Sequence, residues 1–251
     1  MITLQGKNIV ISGASSGIGR ACAIMAAQLG AHVILLGRDE DKLRKTHELM
    51  GGNPLYHMSL ACDITQRELL EPVIQNAFER FGTFSGFIHS AGITSTVPLR
   101  NMNSAKYEQM FAINVIAAFE LARLIANKKV LCPDGGSFVF ISSVRAILGE
   151  PGAVAYSSSK AALLGGARSM ALELAQKRVR VNCILPGNVC TEMTEDFFKT
   201  IPTEAKETII KSHPLGLGQP EDVAHLCMFL LSDLSRWITG TSIPIDGGYC
   251  A

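Results

Sequence analysis

The sequence lacks the marks of several protein classes. No apolar run approaches the roughly 20 residues that span a bilayer. The opening MITLQGKNIV has no basic start followed by an apolar core of the kind that directs secretion. The expectation is a cytoplasmic protein with no membrane partner. Neither sign of charge is in excess: Lys and Arg number 23, Asp and Glu 22, and the formal net charge is +1. No global field draws such a chain to nucleic acid. Cysteine is present but unpatterned: the seven are scattered, odd in number and never spaced CxxC. That argues against a disulfide framework or a zinc site, and for reduced thiols and no bound metal. Repeats, low-complexity tracts and Ser/Pro/Gly linkers are also missing. Residues 1–251 therefore read as one domain.

What is present is alternation. Asn8–Ser12 (NIVIS) and His32–Leu36 (HVILL) read as buried strands, as do Gly86–His89, Ser137–Ile141, Val179–Ile184 and Ser242–Ile245. Leu55–Ser59 is a less apolar strand candidate. Between them lie helical stretches at Ile18–Leu29, Asp39–Leu49, about Ser104–Val130, Ala155–Gln176 and Pro220–Leu231. Thr65 and Glu68 have capping-box spacing, which predicts another helix start. The βαβα order predicts an α/β fold: one doubly wound Rossmann-type domain with a parallel sheet of about seven strands and helices on both faces. The stretch from about 188 to 218 interrupts that order after the sixth strand, near the ligand crevice of such a sheet. It reads as a lid or as an ordinary helical insertion.

Chemistry gathers at the ends of these strands. Gly13, Gly17 and Gly19 follow the first strand and open the first helix. There the chain turns sharply and can approach a pyrophosphate at a helix N-terminus, although a plain strand–helix turn also uses glycines. Arg38 follows the second strand, where an acid would select a free ribose 2′-hydroxyl and an arginine accommodates a 2′-phosphate. No carboxylate occupies Gly37, which favours NADP(H) over NAD(H); the competing reading is a solvated surface arginine. Asp63 is placed to hold an adenine amino group or to cap a helix. Ser142 and Ser143 end the fifth strand, where a hydroxyl faces the crevice or merely caps a turn. Tyr156 and Lys160 lie one helical turn apart in YSSSK. A cation beside a phenol favours the phenolate and so lets Tyr exchange a proton near neutral pH. Asn114, inside a helical stretch where Asn is a poor residue, is either a buried hydrogen-bond partner or the holder of a water near Lys160. Arg145 either faces an anionic substrate or points to solvent.

Over nearly its whole length the chain resembles the short-chain dehydrogenases/reductases. The resemblance rests on Gly13-Ala14-Ser15-Ser16-Gly17-Ile18-Gly19, Asn114 in INV, Ser143, Tyr156–Lys160, Pro186-Gly187 followed by Val189 and Thr191, and Ile245–Gly248 as IDGG. Three departures stand out. The usual Thr before the first glycine is Ser12, the usual NNAG is His89-Ser90-Ala91-Gly92, and Leu217 replaces a basic residue.

The resemblance implies roles. Tyr156 is the general acid for carbonyl reduction and the base for alcohol oxidation. Lys160 lowers the Tyr156 pKa and binds the nicotinamide ribose, Ser143 hydrogen-bonds the substrate oxygen, and Asn114 holds a water that links Lys160 to solvent. The implied cofactor contacts are Gly13, Ser15, Ser16, Gly17, Ile18, Gly19, Arg38, Asp63, Ile64, Ser90, Ala91, Gly92, Tyr156, Lys160, Pro186, Gly187, Val189 and Thr191. The implied activity interconverts a carbonyl and a secondary alcohol. One version acts on 3-oxoacyl groups of an acyl carrier protein, whose acidic surface Lys128, Lys129, Lys177 and Arg178 would receive. Others act on a free small alcohol, sugar or steroid, or use the fold as a sensor or scaffold without turnover. A homotetramer is expected, with Gly165 and Gly166 in one interface.

Overall fold

Apolar residues on both sides of each strand require cover on both faces, and the fold supplies it. The computed structural model describes residues 1–51, 53 and 55–251. Strands β1 (Asn8–Ser12), β2 (His32–Gly37), β3 (His57–Ala61), β4 (Gly86–His89), β5 (Gly136–Ile141), β6 (Val179–Pro186) and β7 (Ser242–Ile245) form one sheet in the order β3-β2-β1-β4-β5-β6-β7. Every pairing is parallel. Along β1 the side chains alternate between two cores. Val10 joins Leu70, Ile74, Leu121 and Leu163, whereas Ile9 and Ile11 join Cys22, Ala23, Val223 and Cys227. Helices α3 (Arg67–Phe81), α5 (Ala117–Ile125) and α6 (Val154–Leu174) thus cover one face. Helices α1 (Gly17–Gln28) and α9 (Pro220–Leu231) cover the other. Each fully buried Val, Ile, Leu, Phe or Met contributes about 1.5–3 kcal/mol, and such side chains make up most of both cores.

The sheet order reverses at β1, which lies between β2 and β4. A crevice opens at the C-terminal ends of the strands at such a switch point. The remaining helices are α2 (Glu40–Leu49), α4 (Ser104–Phe111), α7 (Glu192–Lys199) and α8 (Thr203–Lys211). The last two occupy the insertion after β6.

Several boundaries differ from those predicted. Leu55 and Tyr56 stay exposed, and β3 starts only at His57, which pairs with Val33. Thr65 and Glu68 form no capping box. The Thr65 N–H and hydroxyl both donate to Asp63 Oδ1, at 3.0 and 2.8 Å, and α3 begins after Gln66. The long helix from Ser104 ends at Ile125, and residues 112–116 form a π-helical turn between α4 and α5. Helix α6 ends at Leu174, while β6 runs two residues past its predicted end to Pro186.

Candidate active site

A cleft of about 780 Å³ opens at the switch point, within the range of small-molecule sites. Every candidate catalytic or cofactor residue lines it except Gly19 and Asn114, which touch Gly13 and the Gly92 segment of its wall.

The glycine turn is built for close approach. Gly13 has φ +72°, and a Cβ there would sit 2.5 Å from the Ala91 amide nitrogen. A Cβ on Gly19 would strike the Gly13 carbonyl. Only hydrogen at these positions lets α1 begin directly against the chain leaving β4. Two departures from the family pattern meet at this place. Ser12 Oγ and His89 Nδ1 lie 2.9 Å apart, so the two side chains bond each other where β1 and β4 end, while His89 Nε2 is buried without a partner. Burial, with the Lys160 charge added, pushes His89 down to about 3, so the ring is neutral.

Arg38 is exposed at the cleft's far end, beside Gly37, Ser15 and Asp63. The nearest acid in sequence, Asp39, is engaged as the N-cap of α2 and accepts from the Lys42 N–H at 3.0 Å. Lys42 also lines this end. A lysine in a first helical turn carries no sequence signal of its own. Hydrogen bonds from Thr65 hold the Asp63 carboxyl below its ordinary range, and the nearby Arg38 charge adds to this.

Ser143, Tyr156 and Lys160 share one wall. Ser143 follows β5 and caps a short turn, accepting from the Arg145 N–H at 3.2 Å. Tyr156 and Lys160 are on α6, with Lys160 Nζ 5.8 Å from the phenol ring centre. The ammonium donates to the Ile141 carbonyl at 2.8 Å, and burial pushes its pKa down to about 8. Burial pushes the Tyr156 phenol up, while the Ser143 hydroxyl and then the Arg145 guanidinium pull it down. Lys160 stands within reach of the same phenol while its ammonium bonds the Ile141 carbonyl. Arg145 is itself paired with Glu150, whose carboxylate pushes the phenol up. Arg145 therefore lines the cleft as half of an ion pair, not as a bare cation or a solvent-facing side chain.

Asn114 sits in the π-helical turn, fully buried. Such turns collect at functional sites because they re-aim one residue. Here Asn114 accepts from the Ile93 N–H at 2.9 Å and donates to the Ile93 carbonyl and to Ser159 Oγ, each at 3.0 Å. Gly92 lies between Asn114 and Lys160: a Cβ on it would be 3.3 Å from both Asn114 Oδ1 and Lys160 Nζ. Two further serines act as braces. Ser159 donates to the Tyr156 carbonyl at 2.7 Å, and Ser142 donates to the Lys160 carbonyl at 2.8 Å. The middle serines of YSSSK read as filler in a sequence, which is why Ser159 escaped notice.

Pro186, Gly187, Val189 and Thr191 form a rim of the cleft between the end of β6 and the start of α7. Thr191 caps α7, and its methyl would lie 3.1 Å from a Cβ on Gly17. Met193 and Phe197 of α7, with Ile93, Ile113 and Tyr249, give the substrate end an apolar lining. Ile93, Ile113, Met193 and Tyr249 carry no signal of their own in the sequence, where they look like ordinary core.

Two expectations change. Lys177 Nζ reaches the Ala126 carbonyl at 3.2 Å, which gathers Lys128, Lys129, Lys177 and Arg178 at one place. That place is where β5 and β6 begin, the edge of the sheet opposite Tyr156. Within one chain the cluster does not flank the cleft. Gly166 is explained inside the chain: a Cβ there would run into the Phe119 ring of α5. Only Gly165 faces open space.

The cleft suits an extended dinucleotide: a glycine cradle at the centre, cations at one end, and a hydroxyl–phenol–ammonium set at the other. A family model described as enoyl-(acyl carrier protein) reductase matches residues 13–250. The 3-oxoacyl-[acyl-carrier-protein] reductase FabG of Thermotoga maritima is 34% identical over 246 residues, covering 98% of each chain. Its namesake from Rickettsia conorii is 36% identical over 249 residues, covering 99% of this chain and 98% of the relative. A solved short-chain type dehydrogenase/reductase from Mycobacterium marinum superposes with TM-score 0.92 at 29% identity, covering 99% and 97% of the two chains. With both the fold and the residues of the cleft in agreement, the chain belongs to the short-chain dehydrogenase/reductase family of oxidoreductases.

Proposed function

We propose that the protein is an NADP(H)-dependent 3-oxoacyl-[acyl-carrier-protein] reductase that interconverts a carbonyl and a secondary alcohol. The observation that carries this reading is the convergence of Ser143, Tyr156 and Lys160 on one wall of a cleft whose other end holds Arg38. The names of the relatives, matched over nearly their full length, support the substrate class.

When bound, the nicotinamide dinucleotide supplies or accepts the hydride. The chain's own residues do the rest. Gly13, Ser15, Ser16, Gly17, Ile18 and Gly19 cradle the diphosphate at the start of α1, whose N-terminal dipole favours its charge. Asp63 and Ile64 bound the adenine side, and Ser90, Ala91 and Gly92 the middle. Pro186, Gly187, Val189 and Thr191 hold the carboxamide end, with α7 and α8 as the lid. Ser143 donates to the substrate oxygen as negative charge develops on it, and Tyr156 delivers the proton. Lys160 holds the ribose. Asn114, by fixing Ile93 and Ser159, keeps the Tyr156 turn and the Gly92 segment in register and holds the water that resupplies protons. Homotetrameric assembly belongs to the same proposal, supported by the open face at Gly165 and by Leu172, 82% exposed on the same helix.

The test of function is turnover of a 3-oxoacyl thioester, carried on acyl carrier protein and as the free thioester, with NADPH and NADH. Turnover of the carrier-bound thioester with NADPH is expected. Turnover of free ketones alone would replace this reading with a small-alcohol dehydrogenase, and none with any ketone would favour a binding protein.

Arg38 supplies a separate expectation. Arg38→Ala removes a charge-assisted contact to a 2′-phosphate, so NADPH affinity falls about 10–100-fold while NADH affinity is nearly unchanged. Titration of each cofactor measures this. Equal losses for both would show that Arg38 does not read the phosphate.

A further inference from the structure

The proposed function leaves a buried histidine without a role. His213 lies just past α8 and is 3% exposed. Both of its ring nitrogens are bonded to backbone, each on a different element. Nδ1 lies 2.8 Å from the Ile209 carbonyl in α8. A carbonyl only accepts, so Nδ1 carries the hydrogen. Nε2 is then the bare acceptor, and it receives the Asn188 N–H at 3.1 Å. The ring is stacked on Tyr249, with centroids 4.6 Å apart, and Tyr249 lines the cleft. Space is reserved for this imidazole: a Cβ on Gly187 would sit 3.0 Å from Nε2.

Asn188 lies between Gly187 and Val189, on the rim that precedes Thr191 and α7. Its own carbonyl accepts from the Gly218 N–H at 3.0 Å, and Gly187 N–H bonds the Ile245 carbonyl at 3.0 Å. The rim is thus fixed to β7, to residue 218 and, through one imidazole, to α8. Of these ties only the imidazole reaches α8; α7 is held to the rim separately by Thr194, whose hydroxyl donates to the Val189 carbonyl at 2.6 Å.

We infer that His213 is a positioning residue that couples the lid helix α8 to the Asn188–Thr191 rim, so that lid position and nicotinamide-side geometry are set together. The inference rests on the proposed binding of a nicotinamide dinucleotide along this cleft. It predicts an effect on one half of the ligand only. The adenosine half meets Arg38 and the glycine turn, which His213 does not touch; the nicotinamide half meets the rim.

The experiment compares wild type, His213→Val and His213→Gln in three measurements. The first two are affinities for NADPH and for 2′-phospho-ADP-ribose, which lacks the nicotinamide. The third is hydrogen exchange at the Asn188 amide without ligand. Valine removes both bonds. Glutamine keeps an acceptor at the reach of Nε2. The expected result for Val is a loss of NADPH affinity of about tenfold, unchanged affinity for 2′-phospho-ADP-ribose, and faster Asn188 exchange. Gln restores part of each. Should Val fail to fold, the Gln protein still decides. In that protein, NADPH binding weaker than in wild type but stronger than a tenfold loss, unchanged affinity for 2′-phospho-ADP-ribose and Asn188 exchange faster than in wild type support the tie. Equal weakening of both ligands, or wild-type NADPH affinity in Val, overturns the coupling. Wild-type protein that binds neither ligand overturns the cofactor reading instead, and Asn188 exchange still reports whether the tie exists.

Discussion

Tyr156→Phe is expected to retain cofactor affinity and lose nearly all turnover. The substitution deletes one oxygen and leaves the ring that packs against the wall of the cleft. General acid–base catalysis by a positioned side chain is worth about 10²–10⁴-fold, and a loss on that scale is expected in kcat. Ser143 cannot take over, because a serine hydroxyl has no accessible charged state near neutral pH and its role is to donate to the substrate oxygen. Cofactor affinity should stay within about tenfold, since the phenol contributes at most one neutral hydrogen bond. The check is a fluorescence titration with NADPH alongside a steady-state rate with a 3-oxoacyl thioester. Activity above about a tenth of wild type in pure protein would falsify the acid–base assignment. Loss of NADPH binding in the same variant would instead mark Tyr156 as part of the cofactor's own support.

The legible parts of this molecule are those where the sequence is locally redundant. Asn8–Ser12, Gly86–His89, Pro220–Leu231 and Ser242–Ile245 have the boundaries read from the residues, because a run of apolar side chains or a helix-opening proline marks each end. Gly13 and Gly19 were legible for a reason the structure makes concrete: a side chain at either would enter the backbone of a neighbour. Illegible features depend on partners far away in sequence. Thr65 and Glu68 have the spacing of a cap, yet Asp63 offers Thr65 a nearer acceptor and wins. Gly166 suggested a contact between chains, yet Phe119 fills the space. The pair formed by Ser12 and His89 is the clearest case. Each looked like an isolated departure from the family pattern, and 77 positions of chain separate them. Only the β1–β4 pairing shows that they bond one another. The imidazole at His213 escaped for the same reason, because neither Ile209 nor Asn188 carries any sequence signal for a backbone bond.

Lys160→Ala should lose both cofactor binding and turnover, and its pH dependence separates charge from packing. The side chain is 5% exposed, and burial pushes its pKa from 10.5 to about 8. The ammonium is therefore the dominant form below about pH 8 and is lost above it. If that charge holds the ribose, wild-type affinity for NADPH declines as pH rises through about 8. Folding stability should move the opposite way. The unfolded chain keeps this proton up to about 10.5 whereas the folded chain releases it near 8, so between those values the unfolded state binds more protons. Stability contributed by this group then rises with pH across that window. Alanine confuses the two effects, because it also leaves a cavity and an unpaired Ile141 carbonyl. Lys160→Met also loses the bond to Ile141 but keeps most of the volume, so it removes the charge without opening a cavity. It is expected to fold, to bind NADPH about 10–100-fold more weakly than wild type at pH 7, and to show no step in affinity near pH 8. Calorimetric titration across that range, with melting measured in the same buffers, gives both curves. A wild-type affinity that stays flat through pH 8 would remove the ammonium from cofactor binding, and an equal step in the Met protein would assign the titration to another group.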